Sequence, residues 1–123
     1  MARTSKATAP EVFQQGPVEG RTAKLDSGYT VDYVTFHERL DMTPILASLP
    51  GGRCACPHWG QVVTGRMVVH YDGYDEVCEA GDAYHMTPGH VPVLDAGTEL
   101  LMFSPTDELA ATDAAIQAAF AAG

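Results

Sequence analysis

The chain has 123 residues, the length of one domain. Apolar residues make up 46% and charged residues 19% of it, a composition typical of globular rather than disordered chains. Seven basic against sixteen acidic side chains give a formal net charge of -9. That balance argues against nucleic acid and against anionic membranes as partners, because both select basic surfaces.

The cysteines predict a reducing compartment. Cys54, Cys56 and Cys78 are too few, and odd in number, for a disulfide scaffold. No apolar run reaches the roughly 18 residues that would cross a bilayer. The sequence up to Gly16 has no apolar stretch of the kind found in secretion signals. We therefore expect a cytoplasmic protein with reduced thiols.

The first 25 residues predict an irregular N-terminal arm. Pro10, Gly16, Pro17 and Gly20 interrupt any regular period in this polar stretch.

From Tyr29 onward, short runs of β-branched and aromatic residues alternate with turn residues. Strands are predicted at residues 29–38, 41–49, 61–64, 66–71, 75–79, 83–87, 91–94 and 99–103, with a hairpin turn at Asp72 and Gly73. Parallel strands would need helical crossovers between them, and the sequence predicts none. The pattern favours an all-β sandwich or barrel.

The C-terminal segment, residues 105–123, predicts one α-helix from about Pro105 to Ala121. Ser104 is suited to the N-cap and Pro105 to the first helical position. Leu109, Ile116 and Phe120 recur at helical spacing. We expect this apolar stripe to pack on the outside of the barrel, with a dimer contact as the alternative.

The densest group of ligand-capable side chains is Cys54-Ala-Cys56-Pro-His58-Trp-Gly-Gln61. In an extended segment alternate residues share a face, so Cys54, Cys56 and His58 would point the same way. Thiolate and imidazole suit zinc, copper or iron. The alternative is two small buried thiols and one hydrogen-bonded histidine, because the spacing matches no standard zinc finger. A Cys54–Cys56 disulfide is not expected from the geometry of one strand.

A second group, residues 81–90, contains His85 and His90 around a Pro-Gly turn, which leaves their relative orientation open. His70 and His37 are interpreted as surface residues.

Together these two groups resemble the two halves of the cupin signature. Gly65 would close the first motif, Gly81 and Asp82 would open the second, and Thr87-Pro88-Gly89 stands where a Pro-x-Gly turn belongs. The resemblance covers about residues 30–104. It implies a small double-stranded β-barrel (a jelly roll) over residues 26–104, with a pocket between its sheets.

The ligand positions depart from the cupin pattern. Relative to Gly65, His58 stands where the glutamate ligand is expected, Cys54 at one histidine position and Gly52 at the other. His90 is the histidine nearest to the second-motif position. The resemblance leaves two hypotheses open. Either a remodelled site holds a divalent transition metal (zinc, iron, copper or nickel) through residues drawn from Cys54, Cys56, His58 and His90, or the metal is lost.

Two functions follow from these alternatives. A metal site beside a small organic molecule would suit an oxygenase or isomerase type of enzyme, and its substrate would be oriented by Tyr33, Gln61, Tyr84 and His85. A barrel without metal would bind a small ligand or serve a structural role. Because open sheet edges invite pairing, we also predict a homodimer.

Overall fold

The computed structural model describes residues 3–122, which form two antiparallel β-sheets and one α-helix. The strands are β1 (Glu11–Gln15), β2 (Val18–Lys24), β3 (Tyr29–Phe36), β4 (Leu40–Asp41), β5 (His58–Thr64), β6 (Arg66–Tyr71), β7 (Tyr74–Glu79), β8 (Ala83–Met86), β9 (Val91–Leu94) and β10 (Thr98–Pro105), and helix α1 is Thr106–Ala122. The six-stranded sheet has the order β1-β2-β3-β10-β5-β8, and the four-stranded sheet the order β4-β9-β6-β7. This architecture confirms the predicted all-β class with a C-terminal helix.

The main core lies between the two sheets. It combines buried side chains of the six-stranded sheet with those of the four-stranded sheet, among them Val34, Val62 and Leu100 from the first and Met67, Val69 and Leu94 from the second. A smaller cluster, formed by Leu46, Cys54, Cys56, Val91 and Leu109, lies where helix α1 meets the loops before β5 and β9. Two amphipathic sheets therefore bury their inner faces against each other, and the helix covers part of the remaining opening.

The prediction of an irregular arm is wrong for residues 11–24. They form the β1–β2 hairpin, and β2 extends the six-stranded sheet by pairing with β3, from Val18 opposite Phe36 to Lys24 opposite Thr30. Gly16, read as a breaker, makes the hairpin turn with a φ of 55°. The ladders from β1 to β2 and from β2 to β3 satisfy the backbone of these polar strands, so they need no apolar pattern of their own. Met1 and Ala2 of the predicted arm lie outside the described residues.

The strand predicted at residues 41–49 is also wrong beyond its first residue. Only Leu40 and Asp41 pair, with β9. The Asp41 carboxylate then accepts a hydrogen bond from the Thr43 amide at 2.9 Å, and the chain continues in turns. A side chain that bonds the backbone two residues on favours a turn over a strand.

Helix α1 begins at Thr106, after the predicted start at Pro105, and it does not pack on the outside of the barrel as predicted. Strand β10 runs through Pro105, so Ser104 is a buried strand residue and not a helix cap. Leu109 is buried, and Ile116 and Phe120 pack against the two core clusters, so the helix faces the space between the sheets and not the outside of the barrel. Gly123 of the predicted helical segment lies outside the described residues. None of the described helices has the length and apolar character needed to cross a bilayer.

One carboxylate lies on the inner face of the six-stranded sheet. Asp32 on β3 is 8% exposed, and its Oδ1 accepts a hydrogen bond from the Thr22 hydroxyl at 2.5 Å. Burial raises the pKa of this carboxyl to about 6. The nearby charges of Asp113 and Glu11 add to the rise, and the Thr22 hydrogen bond partly opposes it.

Gly65 joins β5 to β6. Replacing it should lower the free energy of unfolding more than backbone strain alone would. Its φ is 84°, and an added Cβ would overlap the backbone and side chain of Thr98, whose hydroxyl also bonds both backbone groups of Arg66. Gly65→Ala should lower the free energy of unfolding by about 2–4 kcal/mol, because overlap adds to left-handed strain. Urea denaturation measures this loss.

Gly73→Ala is the matched control for that substitution. Gly73 has the same φ of 84°, but nothing lies within 4 Å of the added Cβ, so only the backbone strain of about 1–2 kcal/mol remains. Equal losses in the two variants would contradict the overlap with Thr98.

Asp32 should make folding stability depend on pH. Because its pKa is raised from 3.8 to about 6, the folded state holds this proton more tightly than the unfolded chain does. The contribution of the Asp32 carboxyl to the free energy of unfolding is therefore present below about pH 4 and is lost as the pH rises through about 6. This is a change of about 3 kcal/mol. Subtracting the stability profile of Asp32→Asn from that of the unaltered protein, both measured by urea denaturation, should isolate this fall. A flat difference between pH 4 and 7 would contradict it.

Candidate metal centre

Two loops are held side by side where the two sheets meet. The Cys54 amide donates to the His90 carbonyl at 3.1 Å, and the Gly89 amide donates to the Cys54 carbonyl at 2.8 Å. The Arg53 guanidinium adds a hydrogen bond to the Gly89 carbonyl at 3.0 Å. This isolated bridge brings residues 36 positions apart into contact and aims a thiol and an imidazole at one place.

Glycines make both loops possible. Gly51 and Gly52, in a short 3₁₀ turn at Pro50–Gly52, have φ values of 67° and 69°, and Gly89 has a φ of 96°. These are left-handed conformations that residues with a side chain rarely adopt.

Cys54, His58 and His90 form a compact donor group. One ligand atom from each lies within 4.8 Å of the others, and the Cys54 Sγ is 3.6 Å from the His58 Nε2. The two imidazole rings meet edge to face, with centroids 5.0 Å apart. All three residues are buried, with 1%, 5% and 1% of their surface exposed. The sequence therefore places three potential ligands at one buried point.

The separation of the Cys54 and His58 donor atoms fits a tetrahedral metal ion. With metal–sulfur and metal–nitrogen bonds of about 2.3 and 2.0–2.1 Å, tetrahedral angles place the sulfur about 3.6 Å from a nitrogen. That is the separation found between Cys54 and His58. The donor set of one thiol and two imidazoles is one that zinc and its transition-metal neighbours accept.

Each histidine is oriented through its other ring nitrogen. The His90 Nδ1 is 2.6 Å from the Thr87 carbonyl oxygen, which can only accept, so Nδ1 carries the proton and Nε2 keeps its lone pair. The His58 Nδ1 is 2.7 Å from the Ser104 hydroxyl. Metal-binding histidines in proteins usually have a partner of this kind, which fixes the ring and its tautomer.

Burial sets the protonation of the group. It lowers the pKa of His58 to about 3, with the neighbouring His90 as a smaller cause, and it also lowers the pKa of His90. Both imidazoles are therefore neutral near pH 7. Burial raises the pKa of the Cys54 thiol, although the Thr112 hydroxyl at 3.2 Å partly opposes this. A metal ion would have to displace the thiol proton on binding.

Cys56 does not join the donor group. The chain bends at Cys56 between the bridge at Cys54 and the start of β5, which breaks the alternation assumed for an extended segment. Its thiol lies 3.5 Å from the Pro57 carbonyl oxygen and packs in the smaller core cluster. Of the four predicted metal ligands, the structure brings together three.

The donor group forms part of the wall of a cavity between the sheets, with a volume of about 480 Å³. Most of the lining is apolar and includes sulfur and aromatic side chains, namely Met42, Met67, Met86, Met102, Phe13, Phe36 and Phe120. Besides the donor group, polar side chains line it as well, namely Glu11, Gln15, Thr22, Lys24, Thr30, Asp32, Thr106, Thr112, Asp113 and Gln117. A mostly apolar cavity with a few polar groups is the usual form of a small-molecule site.

The structure places none of the four predicted pocket residues on this lining. Tyr33 lies on the outer face of β3, because Thr30, Asp32, Val34 and Phe36 are the residues of that strand that line the cavity. Alternation along β3 therefore turns Tyr33 away from the cavity, contrary to the prediction.

The other three lie away from the cavity for separate reasons. Gln61 is exposed, and its amide reaches the Gly81 carbonyl. His85 is exposed and stacks on Trp59, with ring centroids 4.9 Å apart. Tyr84 is buried in the main core, where its hydroxyl donates to the Leu101 carbonyl at 3.0 Å.

Sequence reasoning missed the residues that support the donor group. Ser104 is predicted as a helix cap and is instead a strand residue. Thr112 lies on the same helix face as Leu109 and Ile116, and is buried with Leu109, but a search for apolar residues gives no signal for a hydroxyl. The surface interpretation of His37 and His70 is confirmed, since their side chains are 55% and 44% exposed and lie beside Glu19 and Asp75.

No protein-family model matches the chain, and no curated protein matches it in sequence. Solved structures do. A protein of unknown function from Rhizobium leguminosarum bv. viciae 3841 is 18% identical, with a TM-score of 0.59 over 85% of this chain and 94% of that one. An RmlC-like cupin from Shewanella frigidimarina NCIMB 400 is 20% identical, with a TM-score of 0.54 over 77% and 83%.

A cupin superfamily protein from Desulfitobacterium hafniense DCB-2 is also similar, at 8% identity and a TM-score of 0.54 over 76% of this chain and 81% of that one. Identities this low establish the fold and nothing finer. The chain has the jelly-roll barrel fold of the cupins, as its glycines and turns predicted.

Proposed function

We propose that the protein binds a divalent transition metal ion through Cys54, His58 and His90, and a small organic molecule beside it in the cavity. The observation that supports this most is the buried donor group, whose three ligand atoms lie within 4.8 Å of one another on the cavity wall. Sulfur and imidazole donors favour zinc, iron, copper or nickel over magnesium or calcium.

Three protein ligands leave a coordination position open, as in catalytic metal sites. An ion held there would supply Lewis-acid activation of a polar atom on the bound molecule, or a redox centre if it were iron or copper. We therefore propose an enzyme of the isomerase or oxygenase type as the finer function. The fold alone does not select between them, because one fold supports many reactions.

The chain's own residues prepare the site. Ser104 and the Thr87 carbonyl hold the two imidazoles in place, and the Thr112 hydroxyl lies beside the Cys54 sulfur. The apolar lining excludes water and strengthens polar interactions within the cavity. Helix α1 contributes both to this lining and, through Thr112, to the position of the thiol.

A small-molecule binder without metal is the second candidate. It is favoured by the hydrogen bonds that already satisfy the group, since the Cys54 thiol contacts Thr112 and the Cys56 carbonyl, and both Nδ1 atoms have partners. Such a protein would keep the cavity but bind no ion at stoichiometric level.

The homodimer and the cytoplasmic location stay predictions. The edges at which a second copy could pair are β1 and β8 in one sheet and β4 and β7 in the other.

Metal content tests the proposed function. Protein purified without chelator and dialysed should carry about one transition-metal ion per chain, as measured by inductively coupled plasma mass spectrometry. Cys54→Ala and His58→Ala should each reduce metal affinity by at least about tenfold, because each removes one of three ligands. Titration with Co²⁺ should give a thiolate charge-transfer band that Cys54→Ala abolishes.

Cys56→Ala and His85→Ala are the matched controls. Cys56 is equally buried two residues away, and His85 is an exposed histidine outside the donor group. Both variants should keep the metal and the cobalt band. Absence of metal after reconstitution with each of the four candidate ions would refute metal binding and leave the second candidate.

A further inference from the structure

A second polar position lies in the same cavity, away from the donor group. Asp32 is opposite Met102 of β10, and Met102 is opposite Gly60 of β5. The neighbouring inward-facing row places Thr30 opposite Ser104, which contacts His58. Asp32 and His58 therefore stand two strands apart on adjacent rows, about 12 Å between Cα atoms from ordinary strand spacings.

Asp32 presents a free oxygen to the cavity. Its Oδ1 accepts from Thr22, and residues 3–122 form no other hydrogen bond or ion pair to the Asp32 carboxylate. No fully buried side-chain oxygen or nitrogen in this part of the chain lacks a partner. The Oδ2 atom is therefore open to the cavity, on a residue that is 8% exposed and lines it.

The ionisable side chains of the cavity wall are mostly acidic. The lining includes three acids, Asp32, Asp113 and Glu11, and one cation, Lys24. The buried histidines and the Cys54 thiol are neutral. Asp113 and Glu11 are exposed residues close enough to act on the Asp32 carboxyl, and the Lys24 charge acts on Asp113. None of the three carboxylates forms an ion pair within the described residues, and Asp32 is the buried one. A buried carboxylate without a cation is unfavourable, and a bound cation would relieve it.

We propose that the cavity takes a small molecule with an apolar body and a protonated amine, whose ammonium group pairs with Asp32. This inference deepens the proposed function. It rests on that function only in placing the opposite end of the molecule near the metal site. Methionine and phenylalanine side chains would surround the apolar body. A cationic head also interacts favourably with aromatic rings such as Phe13 and Phe36, which line the same space.

The acidic wall discriminates against other ligands of the same shape. A neutral alcohol could hydrogen-bond to Asp32 but would leave its charge uncompensated. A carboxylate would add a further negative charge to the wall, so it would bind more weakly still.

Three probes of one shape test the inference: phenethylamine, 2-phenylethanol and phenylacetate. Isothermal titration calorimetry on chelator-treated, metal-free protein at pH 7 should show phenethylamine binding at least about tenfold more tightly than 2-phenylethanol, and phenylacetate most weakly. Asp32→Asn should weaken phenethylamine binding by about 10–100-fold, the worth of a hydrogen bond to a charged group, and remove the preference for the amine. Asp107→Asn, which alters an exposed acid on the same helix as Asp113, should change neither.

Binding measurements on metal-free protein distinguish the proposal of an amine ligand from the proposal of a metal site. If Cys54→Ala abolishes metal binding but keeps the amine preference, both stand. If the protein holds metal but binds phenethylamine no better than the alcohol, or not at all, the amine proposal is overturned and the metal proposal survives. An amine preference that Asp32→Asn leaves intact would also overturn the role of Asp32, and circular dichroism of that variant verifies that it is folded.

Discussion

The candidate site depends on one short backbone bridge, between Cys54 and His90. Neither residue belongs to a regular strand, so their side chains would be free to point elsewhere if the two loops were not hydrogen-bonded. The bridge places a thiol from the first loop beside an imidazole from the second. His58 is the first residue of β5 and is separated from Cys54 by one bend, so the same constraint brings in the third donor.

Several elements could be predicted because their signals are local. Strands β6 and β9 begin and end where alternation and turn residues place them, and Gly73 makes the expected hairpin turn. The association of Cys54, His58 and His90 could be proposed from spacing and from the cupin resemblance. Cys54 and His90 lie outside the regular strands, so their grouping follows from the motif positions and not from which face of a sheet is inside.

The errors arise where the outcome depends on distant partners. Strand β3 buries Val31 on one face and Val34 on the other, so hydrophobicity alone does not say which face lines the cavity, and Tyr33 was assigned to the wrong one. The β1–β2 hairpin is held by its ladder to β3 and not by its own pattern. Cys56 was included because the bend that turns it away is a property of the folded loop. The place of Asp32 on the cavity lining could not be predicted either, because it too depends on which face of β3 is inside.

Strand β10 lies between β3 and β5 although it is the last strand of the chain. A chain emerging from the ribosome would therefore hold β1-β2-β3 and β5-β8 as two separate pieces, each with an unpaired edge, until residues 98–105 arrive. Ser104, which supports His58, and Met102, which lies beside Asp32, both belong to this strand. The barrel and both polar positions of its cavity are thus completed together, when β10 pairs with β3 and β5.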